Sequence, residues 1–172
     1  WENIKEKFLF FFKGNQKEKI AVAIKNVEDN FGLWLKGQLV LMLAIGVLSY
    51  IGLLIVGVQF PLALALLAGV FEIVPIIGPI ISAVVAALVA VIDSPIKALL
   101  IVGVFSLIQQ LEGNLLVPKV MQKVSGFSPI VILIALLIGS NLFGLIGAVI
   151  AVPVLMIGVI VVRTVFDLED NK

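Results

Sequence analysis

Two glutamates, Glu72 and Glu112, lie inside long apolar runs that should be buried in lipid. A carboxylate in hydrocarbon costs a few kcal/mol or more, so such residues face a bundle interior or a wet cavity. Glu72 is followed at once by the helix-breaking run Pro75-Ile76-Ile77-Gly78-Pro79. Glu112 stands among Gln109, Gln110 and Asn114, ahead of Pro118. A broken helix frees backbone groups that must find partners, and such points bind ions or polar solutes. The chemistry on offer is binding of a coupling cation, H+ or Na+, or of a small polar solute, with the three amides as hydrogen-bonding neighbours. The plainer alternatives are that Glu72 satisfies freed amides or snorkels to headgroups, and that the polar face around Glu112 holds helices together.

The chain around these acids has 172 residues, 62% of them hydrophobic and 13% charged, with a net charge of +1 and a mean hydropathy of +1.25. Soluble domains carry about 25% charge. Between Gly37 and Val162 only six charged residues occur: Glu72, Asp93, Lys97, Glu112, Lys119 and Lys123. A water-soluble core cannot absorb that much apolar sequence, so the composition is that of a membrane protein. Cys and His are absent, which removes disulfides, thiolate metal sites and the commonest general base. No metal site, no resident cofactor and no catalytic residue is expected. An intramembrane serine protease would lack its His, and the four aspartates lie in loops or tails. No GxxxxGK[ST] phosphate loop is present, and nothing beyond the N-terminal lysines speaks for nucleic acid. The start at Trp1, without a signal-peptide pattern, reads as part of a longer membrane protein, its C-terminal portion.

The elements that must position the acids follow from composition. Residues 1–36 hold seven lysines and five acids. Ile20, Ile24, Val27 and Phe31 recur at helical spacing, so this segment predicts one or two amphipathic helices broken near Gly14-Asn15, on the membrane surface or against the bundle. Residues 37–166 form the transmembrane domain, and 167–172 a polar tail. Gln38–Val58 is uncharged and long enough to span. Phe60–Ile92 is divided at 75–79 into two short arms, either a re-entrant hairpin or two tilted spans. Asp93-Ser94-Pro95 is a turn, with Ser94 or Asp93 able to cap a helix over 96–117. Pro129–Ser140 is short, Asn141-Leu142-Phe143-Gly144 interrupts it, and Leu145–Phe166 is the last helix, with a kink expected at Pro153.

The fold class is therefore an all-α polytopic transmembrane bundle with broken or hairpin helices. The order of full helix, broken pair, full helix, broken pair is the layout of an inverted repeat. Pro75, Gly78, Pro79, Asn141 and Gly144 mark the two breaks. Residues 1–36, 118–128 and the C-terminus fall on one side and carry seven, two and two basic residues against Lys97 alone on the other. The positive-inside bias makes the lysine-rich side cytoplasmic. On the helix 96–117, Gly103, Ser106, Gln110 and Gly113 share a face fit for close packing.

The ordered motifs carry a resemblance. Lys36-Gly37-Gln38, Phe71-Glu72-Ile73-Val74-Pro75-Ile76-Ile77-Gly78-Pro79, Gln109-Gln110-Leu111-Glu112-Gly113-Asn114, Pro118-Lys119-Val120-Met121, Ser128-Pro129, Gly139 with Leu142-Phe143-Gly144-Leu145-Ile146-Gly147, and Ala151-Val152-Pro153 resemble the autoinducer-2 exporter family. The resemblance covers roughly residues 30–165. It implies a multi-pass inner-membrane protein of bacteria or archaea, with further helices ahead of this region and homo-oligomeric assembly. The activity it implies is that of a permease for a small polar solute or quorum-sensing signal. Other members of the family are described as sodium/proton antiporters, which is the alternative activity. A third reading, from another class, is a non-transporting membrane scaffold. Lipid, a polar solute or cation, and further copies of the chain are the expected partners.

Overall fold

The computed structural model describes residues 2–10, 15–121 and 127–165, and every regular element among them is helical. In chain order these are α1 (Glu2–Phe10), α2 (Asn15–Val56), α3 (Pro61–Phe71), α4 (Ile77–Asp93), α5 (Pro95–Leu111), a π-turn (Glu112–Leu116), α6 (Val117–Val120) and α7 (Pro129–Val165). The expected break at Gly14 and the polar tail from 167 lie outside the described residues. So does Lys123 of the polar connector. Three helical stretches have the length and apolar composition to cross a membrane: Lys17–Val56, Pro95–Val120 and Ile130–Thr164, the last of them broken at Phe143-Gly144. The chain divides into two compact units, residues 34–125 and the remainder.

The unit 34–125 carries the acids. Its first element is the later part of α2. From Asn15 onward the amphipathic lysine-rich segment and the first span form one uninterrupted helix, without a boundary at 36–37. No proline or left-handed glycine intervenes to stop it, and Gly32 and Gly37 are tolerated at a modest propensity cost. The helix stops where Gly57 turns to φ 71, a left-handed position suited to glycine at a helix end. Phe60, also left-handed at φ 55, and Pro61 in the first turn then launch α3.

α3 and α4 are the arms of a hairpin, packed on each other, and α5 packs along α4. α3 runs back along α2: a Cβ at Gly46 would touch Ala65 O at 3.5 Å, and one at Gly69 would press on Met42 O at 2.8 Å. Small residues thus let the two backbones close. Ala68, Ala86 and Ala90 are fully buried with Leu53 and Ile101, in a core that also takes in Ile45, Leu64, Phe105 and Ile108. At the end of the unit away from the hairpin tip, Lys97 Nζ donates to Gly57 O at 2.7 Å and Gln59 Nε2 to Asp93 Oδ1 at 2.7 Å. Ser94, not Asp93, caps α5, accepting from Ile96 N at 3.3 Å.

In the other unit, Lys5 of α1 donates to Glu28 of α2 at 2.9 Å. α7 is itself a helical hairpin. Phe143 (φ −132) and Gly144 (φ 61, ψ −141) leave helical geometry. A Cβ at either Gly139 or Gly147 would collide with the carbonyl oxygen of the other, so the two arms lie backbone to backbone. The expected interruption at 141–144 thus falls at Phe143-Gly144, while Asn141 stays helical and exposed. The kink expected at Pro153 is not where the helix departs from regular geometry; the departures are confined to 143–144.

Candidate functional site

The hairpin tip at 72–76 is a closed set of turns. Ile73 N donates to Val70 O at 3.2 Å, Val74 N to Phe71 O at 3.0 Å, and Gly78 N to Val74 O at 2.9 Å. Ile77 N donates to Pro75 O at 2.8 Å across Ile76, whose φ 70 and ψ −55 make a γ-turn of the rare kind. A positive φ in a β-branched residue is an outlier. It costs roughly 1–3 kcal/mol, and such strain clusters at functional sites. Gly78 is obligatory, since a Cβ there would collide with Phe71 O. The tip thereby ends α3 at Glu72 and turns its side chain inward, to 1% exposure.

Glu112 arrives from the other side. Pro118 has no N–H for a helical bond to Asn114 O, and its ring would strike that carbonyl in a regular helix. The chain answers with the π-turn 112–116, closed by Val117 N on Glu112 O. Such one-turn π segments recur at functional sites. Glu112 is the buried residue of the turn, at 9% exposure. Its carboxyl and that of Glu72 are interacting neighbours. The Oε2 atoms of both are buried without a hydrogen-bond donor. Ionised carboxylates only accept, so a bond between two carboxyl groups requires a proton on one of them.

The structure brings Glu72, Glu112, Pro75, Gly78 and Pro79 together. Gln109, Gln110 and Asn114 lie on the exposed side of their helix while Glu112 points inward. Gln109 and Ser106 line an outward groove of about 440 Å³ between α4 and α5. Ser106 Oγ bonds back to Val102 O at 2.7 Å within its own helix. Asn141 and Gly144 belong to the other unit. No group of three or more acidic, His or Cys side chains that could hold a metal occurs among the described residues.

One participant carries no strong sequence signal. Gln38, 2% exposed, donates from Nε2 to the backbone oxygen of Glu72 at 2.6 Å. A lone amide at the head of an apolar span reads as an interfacial residue. What marks it is a register 34 residues away, which appears only once α3 folds back on α2. Gln38 follows Lys36 by two residues, or ~3 Å of helix rise. The carboxyl pair therefore sits at the lysine-rich end of the span, and the apolar core of Ile45, Leu53, Ile101 and Phe105 fills the unit further along α2.

Apolar spans, broken-helix hairpins and a buried acidic pair at a tip define a multi-pass, all-α membrane protein. A family model described as AI-2E family transporter matches residues 1–167, and the chain belongs to that family. YueF of Bacillus subtilis, named as a candidate transport protein, is 38% identical over 131 residues, 76% of this chain and 35% of the relative. YrrI of the same organism, named likewise, is 32% identical over 137 residues, 80% of this chain and 39% of the relative. A candidate transport protein of Borreliella burgdorferi is 29% identical over 162 residues, 92% of this chain and 45% of the relative. The chain thus spans less than half the length of these curated relatives.

Proposed function

We propose that the chain is the carboxyl-bearing part of a secondary transporter of the autoinducer-2 exporter type, which moves a small polar solute across the inner membrane. The observation that carries this reading is the burial, at a strained helix break, of two neighbouring carboxyl groups that each keep an unpartnered oxygen. With one proton the pair keeps a negative charge, and an isolated buried charge is costly. A second proton, or a cationic group of the solute, neutralises it. A loaded pair can then move through an apolar bundle that resists the charged one, and that difference couples ion to solute. Glu72 and Glu112 are the binding groups; Gln109, Gln110 and Asn114, on the outward face, fit a solute path or a helix contact.

The alternative is a sodium/proton antiporter using the same oxygens. The tip favours the proton. Four carbonyls at the break, those of Phe71, Glu72, Val74 and Pro75, each already accept one protein donor, which leaves a sodium ion their second lone pairs alone. The test is the full chain in proteoliposomes with pyranine trapped inside. An imposed pH step should drive proton movement that Glu72→Gln and Glu112→Gln each abolish. Movement evoked by sodium pulses would turn the assignment to the antiporter. Undiminished flux in both variants would remove the pair from the mechanism.

A further inference from the structure

Glu72 and Glu112 sit on different elements, one at the end of α3 and the other at the start of the π-turn. Nothing local to either element fixes the distance between their side chains. A single turn of α2 touches the first element and α6, the helix that follows the second. Gln38 Nε2 holds the Glu72 carbonyl at 2.6 Å. Beside it, a Cβ on Gly37 would meet Met121 Sδ at 2.9 Å, Met121 Cε at 3.2 Å and Val120 Cγ1 at 3.3 Å. Met121 ends α6, the helix that continues the π-turn, and is 6% exposed. Consecutive helical residues point about 100° apart, as 3.6 residues per turn requires. One therefore faces the tip and the next faces the end of α6.

From this geometry we propose that Gly37 and Gln38 form a positioning clamp, setting the level of the hairpin tip against that of the π-turn so that the two carboxyl groups meet. The clamp rests on the carboxyl-pair reading above. Gln38 serves a second need, since the carbonyl it takes is one that a helix end leaves over and that lipid cannot satisfy. Met does not donate, so Gln38→Met keeps the length and shape of the side chain and removes the bond. At position 37 the neighbouring Met121 sulfur is the far end of a flexible chain. Ala should be absorbed there, whereas Leu must push α6 and the π-turn away.

The experiment is infrared spectroscopy of the full chain in nanodiscs, reading the carbonyl stretch of protonated carboxyl groups and assigning the pair's band by its loss in Glu72→Gln. A carboxyl in a strong hydrogen bond absorbs at lower wavenumber than a free one. We expect Gln38→Met and Gly37→Leu each to shift the assigned band to higher wavenumber, and Gly37→Ala to leave it in place. A merely structural role for Gln38 would lower thermal stability without moving the band. An unmoved band in folded Gln38→Met overturns the clamp and leaves the carboxyl pair standing. Should Gln38→Met fail to fold, an unmoved band in Gly37→Leu overturns it. A wild-type spectrum with no band sensitive to Glu72→Gln overturns the pair and the clamp together.

Discussion

At 1% and 9% exposure, Glu72 and Glu112 depend on each other. Removing one partner of a buried polar contact leaves the other to bear its desolvation, at about 1–3 kcal/mol, whereas removing both can be nearly neutral. The expectation is that Glu72→Leu and Glu112→Leu each destabilise by about that amount. The double substitution should recover most of the loss and be inactive in transport. Thermal unfolding in detergent checks this, and additive losses would show that the two side chains do not interact. A second residue-scale prediction concerns Lys5, whose proton affinity is raised above the ordinary lysine value, chiefly by its bond to Glu28. A raised lysine contributes its stabilisation fully below the unfolded value of about 10.4. The contribution is lost as pH rises through the folded value. A bimane label on Leu9→Cys should become more quenchable at high pH, and Lys5→Gln should show the high-pH behaviour already at neutral pH. A quenching profile identical in the two proteins would remove the ion pair as the tether of α1.

At the scale of elements, glycines decide whether the hairpins close. Gly78 faces Phe71 O, and Gly139 and Gly147 face each other's carbonyl groups, all too closely for a Cβ. The opposing atoms are backbone and cannot swing aside. Gly78→Ala and Gly147→Ala should therefore each cost about 1–3 kcal/mol, the range for overpacking, whereas Gly103→Ala, with open space around its Cβ, should cost nothing measurable. Thermal unfolding separates these, and equal stability of all three would mean that the arms stand further apart. The breaks themselves were legible, because proline obstructs a helix sterically at Pro75 and Gly144 takes up the left-handed φ that a reversal needs, although Ile77 to Pro79 of the expected break already belong to α4. The continuity of α2 was not. Composition changes sharply at residue 36, and a change of solvent looks like a change of element, yet no residue there stops a helix. The π-turn was equally hidden. Pro118 announces trouble one turn upstream, but sterics alone do not say whether the chain kinks, ends or widens.

For the whole molecule, the all-α membrane class followed from apolar length, and the two acids from the expense of charge in lipid. Their meeting could not be read from spacing, because 40 residues and two reversals of chain direction separate Glu72 from Glu112. The depth of the site was hidden for the same reason. An acid in the middle of an apolar run suggests the bilayer centre, but α3 turns back along α2 as far as Gln38. Depth then governs sidedness. The tip shares its end of the 34–125 unit with Lys36, while Gln59 and Lys97 mark the other end. By the positive-inside rule the Lys36 end is expected to face the cytoplasm. These 172 residues contain no cysteine, so single-cysteine variants report cleanly within them. A membrane-impermeant maleimide should label Gln59→Cys from outside whole cells and Lys36→Cys only in inside-out vesicles. Ile73→Cys, at the tip, should follow Lys36. The buried apolar core of Leu53, Ile101 and Phe105 lies toward the Gln59 end of the unit, whereas Lys36 is within about one helical turn of Gln38, which bonds the tip. Labelling of Ile73→Cys from the Gln59 side would mean that the apolar core opens and that the carboxyl pair exchanges with the outside in its resting state.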